Sequence, residues 1–246
     1  SESLLVGLLP GFFLKFLGSA SIYTYIAGTY SFAQFLAAPL IGIYSDKYGR
    51  KPVMLVCISG SILGISIVAF TLLFDWSNLK NFLPSLPLLP IYLLFIARLI
   101  DGISGGTVAT ATTVLADIST PETRAKTFGL IGVAFGLSFL LGPTISFIFI
   151  GNSSNSYLIP VLIATIIPFI NFLLVFCYLP ETKPREKDND LRNQSRSNPF
   201  KGIFAPFKEN NIKRLSLAFF IYFIAFTGLT TILVFFLSLI HISEPT

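Results

Sequence analysis

Hydrophobic residues occur along this chain in long runs, separated by shorter segments that carry most of its charged residues. Six runs are long enough to cross about 30 Å of hydrocarbon, since a spanning helix needs about 20 apolar residues. They lie approximately at Ile22–Ile43, Pro52–Phe74, Leu88–Ala116, Phe128–Ile150, Tyr157–Leu179 and Leu215–Ile240. A shorter run, Leu4–Leu17, is interpreted as the end of a helix whose beginning is missing. The pattern predicts an all-α membrane protein.

The amino-acid composition supports this prediction and indicates which kinds of molecule the protein contacts. Hydrophobic residues make up 53% of the chain and charged residues 12%, whereas a soluble domain is usually about 25% charged. We therefore expect membrane lipid as a partner. The net charge of +5 does not indicate nucleic acid, because the basic residues cluster between the apolar runs. Cys57 and Cys177 lie inside apolar runs, so we expect buried free thiols and no metal site.

The basic residues also predict the orientation of the spans. Fourteen of the 17 lie in connections on one side, Lys15 and Lys80 lie on the other, and Arg98 lies inside a span. Since Lys and Arg accumulate in cytoplasmic loops, this bias predicts which connections are cytoplasmic and which external. The cytoplasmic connections are 44–51, 117–127 and 180–214, and the external ones are 75–87 and 151–156. We expect a multi-pass protein of the plasma or inner membrane.

The connection after the Ile22–Ile43 run carries a spaced motif, Gly-x-x-x-Asp-x-x-Gly-Arg-Lys, formed by Gly42, Asp46, Gly49, Arg50 and Lys51. Glycines permit a tight turn and close approach, and the aspartate can pair with a basic residue or a helix N-terminus. Alone, the basic pair would be a topology signal. The motif resembles motif A of the major facilitator superfamily, which lies between that family's second and third helices.

The Leu88–Ala116 run contains Arg98 and Asp101, which share a helix face because they are three residues apart. Charges inside a span are costly and are candidates for function, although a mutually neutralising structural pair is the alternative. The pattern from Arg98 to Gly102 resembles motif B of the same family, which implies proton handling. The run continuing to Gly106 resembles the tetracycline and multidrug exporter branch, so Arg98 and Asp101 are our proton-coupling candidates.

The end of this helix supplies two more charged residues, Asp117 and Arg124. The resemblance implies that they join Asp46 and Arg50 in a cytoplasmic ion-pair cluster. An ordinary solvated loop is the alternative. Our hypothesis is that the cluster keeps the cytoplasmic side closed in the outward-facing state, with Gly42, Asp46, Gly49, Arg50, Lys51, Asp117 and Arg124 as the conformational-gate set.

The fifth helix of the family pattern contains Gly132 and Gly136, followed by Gly142 and Pro143. Small residues four apart let membrane helices pack closely, and the proline is expected to kink the helix. The segment resembles motif C, which is associated with antiporters. It departs from that motif where two glycines are replaced by Ser146 and a phenylalanine, so generic helix packing remains an alternative.

Three polar residues inside spans are candidates for a substrate cavity. Tyr30 and Gln34 share a face of one helix, and Asn171 lies in the Tyr157–Leu179 run, where a polar group needs a partner or a cavity. Pro180 and Glu181, which follow that run, also resemble the family, where such a pair opens the central linker.

The resemblance extends from about Leu9 to Phe236. It implies a major facilitator-type helical bundle with a partial first helix and six of an expected twelve spans. The expected organisation is a six-helix amino-terminal half (1–179), a cytoplasmic linker (180–214), the first helix of the second half (215–240) and a non-native tail (237–246). The tail resembles translated adapter sequence, so we expect truncation at both ends.

The resemblance implies a secondary active transporter that exports a drug or other small molecule, coupled to protons, by alternating access. We expect a monomer when complete, no cofactor, and no enzyme activity, because phosphate-binding loops, nucleophile elbows and zinc spacings are missing from the sequence. Two alternatives stay open: an importer or facilitator for a sugar or metabolite, and a non-transporting membrane scaffold or receptor.

Overall fold

The computed structural model describes residues 20–74, 89–150, 158–182, 213–226 and 228–229, and the regular structure in these ranges is helical. This confirms the all-α prediction for the described part of the chain. The helices are α1 (Ala20–Tyr48), α2 (Arg50–Leu73), α3 (Leu89–Ser104), α4 (Thr107–Ile118), α5 (Arg124–Ile150), α6 (Leu158–Tyr178) and α7 (213–226).

The connection between α1 and α2 is shorter than the sequence predicted. The apolar run ends at Ile43, but α1 continues to Tyr48. Helical backbone hydrogen bonds do not depend on side-chain polarity, so a helix extends past the last apolar residue into the membrane surface. Gly49 alone separates the two helices, and its φ of 101° lies in the region that glycine adopts readily.

The predicted span Leu88–Ala116 corresponds to one candidate span, Leu89–Ile118, whose helix is interrupted by a turn. The turn at Gly105 and Gly106 separates α3 from α4, and hydropathy does not detect it because glycine is not polar. From α1, the side-chain amide of Gln34 donates a hydrogen bond to the Gly105 carbonyl in this turn, with an N–O distance of 3.1 Å. The side chain thereby satisfies a backbone acceptor near the helix break.

The apolar core lies where four helices meet. α3 packs against α1 and α2, and α2 also packs against α6. The buried centre is formed by Ile26 of α1, Ile65 and Val68 of α2, Leu94 and Ala97 of α3, and Ala164 of α6. Close approach at this centre requires glycine: a Cβ added to Gly102 would lie 2.5 Å from the Tyr30 carbonyl oxygen. Small residues at helix crossings are typical of membrane bundles.

Five candidate spans in the described residues are long and apolar enough to cross a membrane: Thr24–Tyr48, Arg50–Leu73, Leu89–Ile118, Arg124–Gly142 and Ile159–Tyr178. Their many exposed apolar side chains fit contact with lipid. One cysteine expectation is confirmed and one is wrong, since Cys57 is buried whereas Cys177 is exposed on α6. An apolar run predicts a lipid-compatible position and does not distinguish core from lipid.

Several predicted features lie outside the described residues. They are the first run at Leu4–Leu17, the external connections 75–87 and 151–156, most of the 180–214 linker and the 237–246 tail. The predicted span Leu215–Ile240 is described as helix at 213–226, with residues 228 and 229 also helical.

Candidate functional site

A cluster of charged groups surrounds Arg50 at the start of α2, and we call it the Arg50 cluster. The guanidinium Nη1 lies 2.9 Å from Asp46 Oδ1, and Nε lies 3.1 Å from Asp117 Oδ2. Nη1 also donates a hydrogen bond to the Ser45 hydroxyl at 3.1 Å. The planar guanidinium can hold several acceptors at once, since its N–H donors point in fixed directions. The cluster therefore joins α1, α2 and α4 at one end of the bundle.

The exposure of the cluster matters for what it can do. The Arg50 side chain is 9% exposed, whereas Asp46 and Asp117 are 45% and 34% exposed. A nearly buried cation thus meets two acids that remain in contact with water. Water can reach both carboxylates and screens their attraction to the guanidinium, whereas the guanidinium itself is shielded and needs a partner.

The rest of the predicted gate set is placed as follows. Lys51 lies in the first turn of α2, and its Nζ is 5.9 Å from the Phe176 ring centroid on α6. Arg124 begins α5 and is exposed; within the described ranges no ion pair joins it to Asp46 or Asp117. A Cβ added to Gly42 would meet nothing within 4 Å. The structure thus brings together three of the four charged residues expected in the cluster.

The second charged site lies inside the bundle. Arg98 and Asp101, which we call the Arg98 pair, are joined on α3 by a contact of 3.3 Å between Nη1 and Oδ2. Their side chains are 5% and 4% exposed. The Arg98 Cζ also lies 5.9 Å from the Tyr30 ring centroid, within cation–π range. A buried ion pair is costly to desolvate, and removing one partner leaves an uncompensated charge.

The three cavity candidates have different surroundings. Tyr30 faces the Arg98 pair, and Gln34 bonds to the carbonyl of Gly105 at the helix break. Asn171 is exposed on α6 and makes no side-chain hydrogen bond with the described residues. Tyr30 and Gln34 therefore lie where α1 contacts α3 and the turn that follows α3, whereas Asn171 lies on α6.

The motif C segment lies on α5, which is mostly exposed in the described part of the chain. Added Cβ atoms at Gly132 and Gly136 would meet nothing within 4 Å, while Gly142 is buried. The helix is continuous through Pro143. Gly132 and Gly136 therefore do not pack against another described helix.

Sequence reasoning missed one residue of the Arg50 cluster's surroundings, Glu181. Its Oε1 accepts a hydrogen bond from the Arg50 backbone N–H at 2.8 Å, and its Oε2 accepts one from the Lys51 backbone N–H at 3.1 Å. The available signal was an acid placed just after the Tyr157–Leu179 run, on the side predicted to hold the basic motif.

Comparison with known proteins places this architecture in a family. A family model described as Major Facilitator Superfamily matches residues 1–245. Major facilitator superfamily domain-containing protein 10 of Mus musculus is 32% identical over 226 residues, which cover 83% of this chain and 43% of that protein. Tetracycline resistance protein, class D, of Salmonella ordonez is 30% identical over 226 residues, covering 90% and 50% respectively.

A solved structure agrees with these relatives. The crystal structure of the human organic anion transporter MFSD10 matches with a TM-score of 0.54 and 30% identity, covering 76% of this chain and 45% of that one. The chain spans about half the length of the curated relatives it matches. Proteins of this family are transporters and not enzymes, which confirms that part of the sequence prediction. By sequence and by fold, the chain belongs to the major facilitator superfamily.

Proposed function

We propose that this chain is part of a secondary active transporter that exports a small organic molecule in exchange for protons. In this proposal, two helical halves alternate access to a central site. Residues 1–179 contribute the amino-terminal half, 180–214 the linker, and 215–240 the first helix of the second half. The assembled transporter works as a monomer in the plasma or inner membrane.

The observation that carries the proposal is the Arg50 cluster. Its ion pairs tie the end of α1 and the end of α4 to the start of α2, so three helices meet through charges at one face. Because the two acids are partly exposed, these contacts can exchange with water or with other partners when the helices separate. This is the property expected of a gate that closes one side of a transporter.

The Arg98 pair supports proton coupling. Asp101 is buried beside a cation on a membrane-spanning helix, and ionisable groups in such positions are candidates for proton relays. In the proposed cycle, protonation of Asp101 weakens its attraction to Arg98. The freed guanidinium can then change partners as the helices rearrange.

The substrate class is supported by the relatives. Several are named tetracycline resistance proteins, and the solved neighbour is named an organic anion transporter. Tetracyclines and organic anions are both organic molecules larger than simple inorganic ions. A small organic molecule, with tetracyclines and organic anions as first probes, is therefore the proposed substrate.

The gate is tested by Asp46→Asn in the protein reconstituted into liposomes, with Lys47→Gln as a control that changes a neighbouring charge. Loss of one charge-assisted contact is expected to shift the equilibrium between closed and open states by about tenfold. Transport falls, and accessibility to thiol reagents from the side predicted to be cytoplasmic rises. Unchanged transport and accessibility in Asp46→Asn would contradict the gate.

Transport is tested by imposing a pH gradient on the same liposomes and following tetracycline and a fluorescent organic anion separately. We expect substrate movement against the proton flow, which collapses when the gradient is dissipated. Asp101→Asn is expected to abolish gradient-driven movement. Movement in the same direction as protons would favour an importer, whereas binding without flux would favour a receptor or scaffold.

A further inference from the structure

The first turn of α2 contains no residue of its own that caps its free N–H groups or balances its positive charge. A helix begins with backbone N–H groups that have no intrahelical partner and with a partial positive charge. α2 has no acidic residue in its first turn, and its N-cap, Gly49, has no side chain to accept a hydrogen bond. Arg50 and Lys51 add two positive charges at this positive end.

Glu181 solves this problem from the far end of the α6 helix. Its two carboxylate oxygens accept hydrogen bonds from the consecutive backbone N–H groups of Arg50 and Lys51, at 2.8 and 3.1 Å. The third residue of the helix, Pro52, has no N–H to satisfy. One carboxylate thus accepts hydrogen bonds from both N–H groups among the first three residues. Its negative charge also interacts favourably with the partial positive charge at the helix N-terminus.

Two neighbouring features match this contact. A Cβ added to Gly49 would lie 2.6 Å from Glu181 Oε2, so the absence of a side chain there makes room for the carboxylate. The Lys51 ammonium lies over the ring of Phe176, on the α6 turn that precedes Glu181. Both features fix the end of α6 against the start of α2.

We propose that Glu181 is a positioning residue for Arg50, and that it couples the start of the 180–214 connection to the Arg50 cluster. Glu181 holds the Arg50 backbone, and the Arg50 side chain then reaches Asp46 and Asp117. A pull on the connection is transmitted through one carboxylate to the cation at the centre of the cluster. This assignment rests on the proposed gate function of that cluster.

The test uses a graded series, Glu181→Gln and Glu181→Ala, in the protein reconstituted into lipid nanodiscs. Glutamine keeps one acceptor oxygen and turns a donor group toward the second N–H, so its effect should be intermediate. The control is Glu122→Gln, in another connection that is predicted to lie on the cytoplasmic side. Hydrogen bonds from its own backbone N–H and from the Thr120 hydroxyl lower the pKa of Glu122, so this control also removes a negative charge.

The first measurement is hydrogen exchange at the Arg50 and Lys51 backbone amides, together with the NMR signal of Arg50 Nε–H, which bonds to Asp117. Glu181→Ala is expected to speed exchange of both amides about tenfold, as for loss of a helix N-cap, and to shift the Nε–H signal. Glu122→Gln should change neither. Unchanged amide exchange would overturn the contact, and an unchanged Nε–H signal would overturn the positioning role.

The second measurement is transport in liposomes. Glu181→Ala is expected to lower the maximal rate and to leave KM close to that of the unsubstituted protein, because the substitution affects a conformational step. Faster amide exchange with an unchanged transport rate would overturn the coupling while leaving the proposed function intact. If the unsubstituted protein moves no substrate, the proposed function fails, and the Nε–H signal still decides whether Glu181 positions Arg50.

A third variant separates strain from contact. Gly49→Ala introduces a Cβ at the Glu181 carboxylate and also strains a residue with φ of 101°. In the Glu181→Ala background only the strain remains, so the effects on amide exchange should be less than additive. Strict additivity would show that the two residues do not share a contact and would overturn the proposal.

Discussion

Arg50 and Arg98 are both nearly buried, but their acid partners differ in exposure, so the two arginines are expected to respond differently to substitution. Arg50 contacts acids that remain exposed to water, whereas Arg98 is joined to an acid that is almost as buried as itself. Pairs open to water contribute little to stability and suit a contact that must open. A buried pair contributes a large penalty when only one partner is removed.

We therefore predict strong coupling between Arg98 and Asp101. Asp101→Asn alone is expected to lower the free energy of unfolding by about 3–5 kcal/mol, because it leaves a buried cation uncompensated. The double variant Arg98→Met with Asp101→Asn is expected to lose less than the sum of the two single variants. Unfolding in detergent micelles measures all three, with Glu122→Gln as a surface control. Additive losses would contradict direct pairing.

For individual residues, the sequence predicted which charged side chains matter better than it predicted which of them contact each other. The family pattern indicated that Asp46, Arg50 and Asp117 belong to one cluster, and the structure brings these three together. Glu181 was not predicted as a partner because it is far along the chain from Arg50, and only tertiary packing brings them together. Arg124 was predicted in the cluster, but the structure leaves its side chain exposed at the start of α5.

The packing of α3 against α1 requires a close approach of their backbones at Gly102. Gly102 lies against the Tyr30 carbonyl, so α1 and α3 are held closer than two helices with ordinary side chains allow. Hydropathy predicted the presence of these helices but neither their ends nor the break at Gly105. Helix ends and breaks depend on caps, glycines and neighbouring side chains such as Gln34, which a sliding average of apolar residues does not include.

Gly102→Ala is expected to destabilise the bundle by about 1–3 kcal/mol, because the added Cβ meets backbone that cannot move independently. Gly28→Ala on α1 is the matched control, since a Cβ there meets nothing within 4 Å. That control should be neutral or stabilising by up to about 1 kcal/mol, because alanine favours helix. Thermal unfolding in detergent distinguishes the two. Equal effects would contradict close packing at Gly102.

The distribution of buried and exposed apolar residues in the described helices is that of a membrane bundle and not that of a soluble domain. The small core lies at the meeting of α1, α2, α3 and α6, while apolar side chains cover much of the outer surface. The distribution of basic residues predicts which ends of the helices face the cytoplasm. Family membership confirms the membrane fold, and the orientation remains a prediction from charge.

Orientation is tested with one introduced cysteine at a time, in a background that carries Cys177→Ala and keeps the buried Cys57. Thr120→Cys lies in a connection predicted to be cytoplasmic, and Ser77→Cys lies in one predicted to be external. A membrane-impermeant maleimide is expected to label Ser77→Cys in intact cells and Thr120→Cys only in inside-out vesicles. The background alone controls for reaction at buried Cys57. The reverse labelling pattern would contradict the predicted topology.

The single-residue connection at Gly49 has a mechanical consequence. Each residue contributes two soft dihedral angles, so the rotations available between α1 and α2 at this joint are those of one glycine. With Glu181 bonded to the first turn of α2, a rotation at Gly49 tilts α1 relative to α2. Tyr30 lies about 24 Å along α1 from Asp46 at 1.5 Å per residue, so a tilt of about 10° displaces it by about 4 Å. A motion that starts at the charged surface would thus move Tyr30 away from Arg98, and Pro39, which lies between Tyr30 and Asp46 in α1, is the point where this arm would bend first.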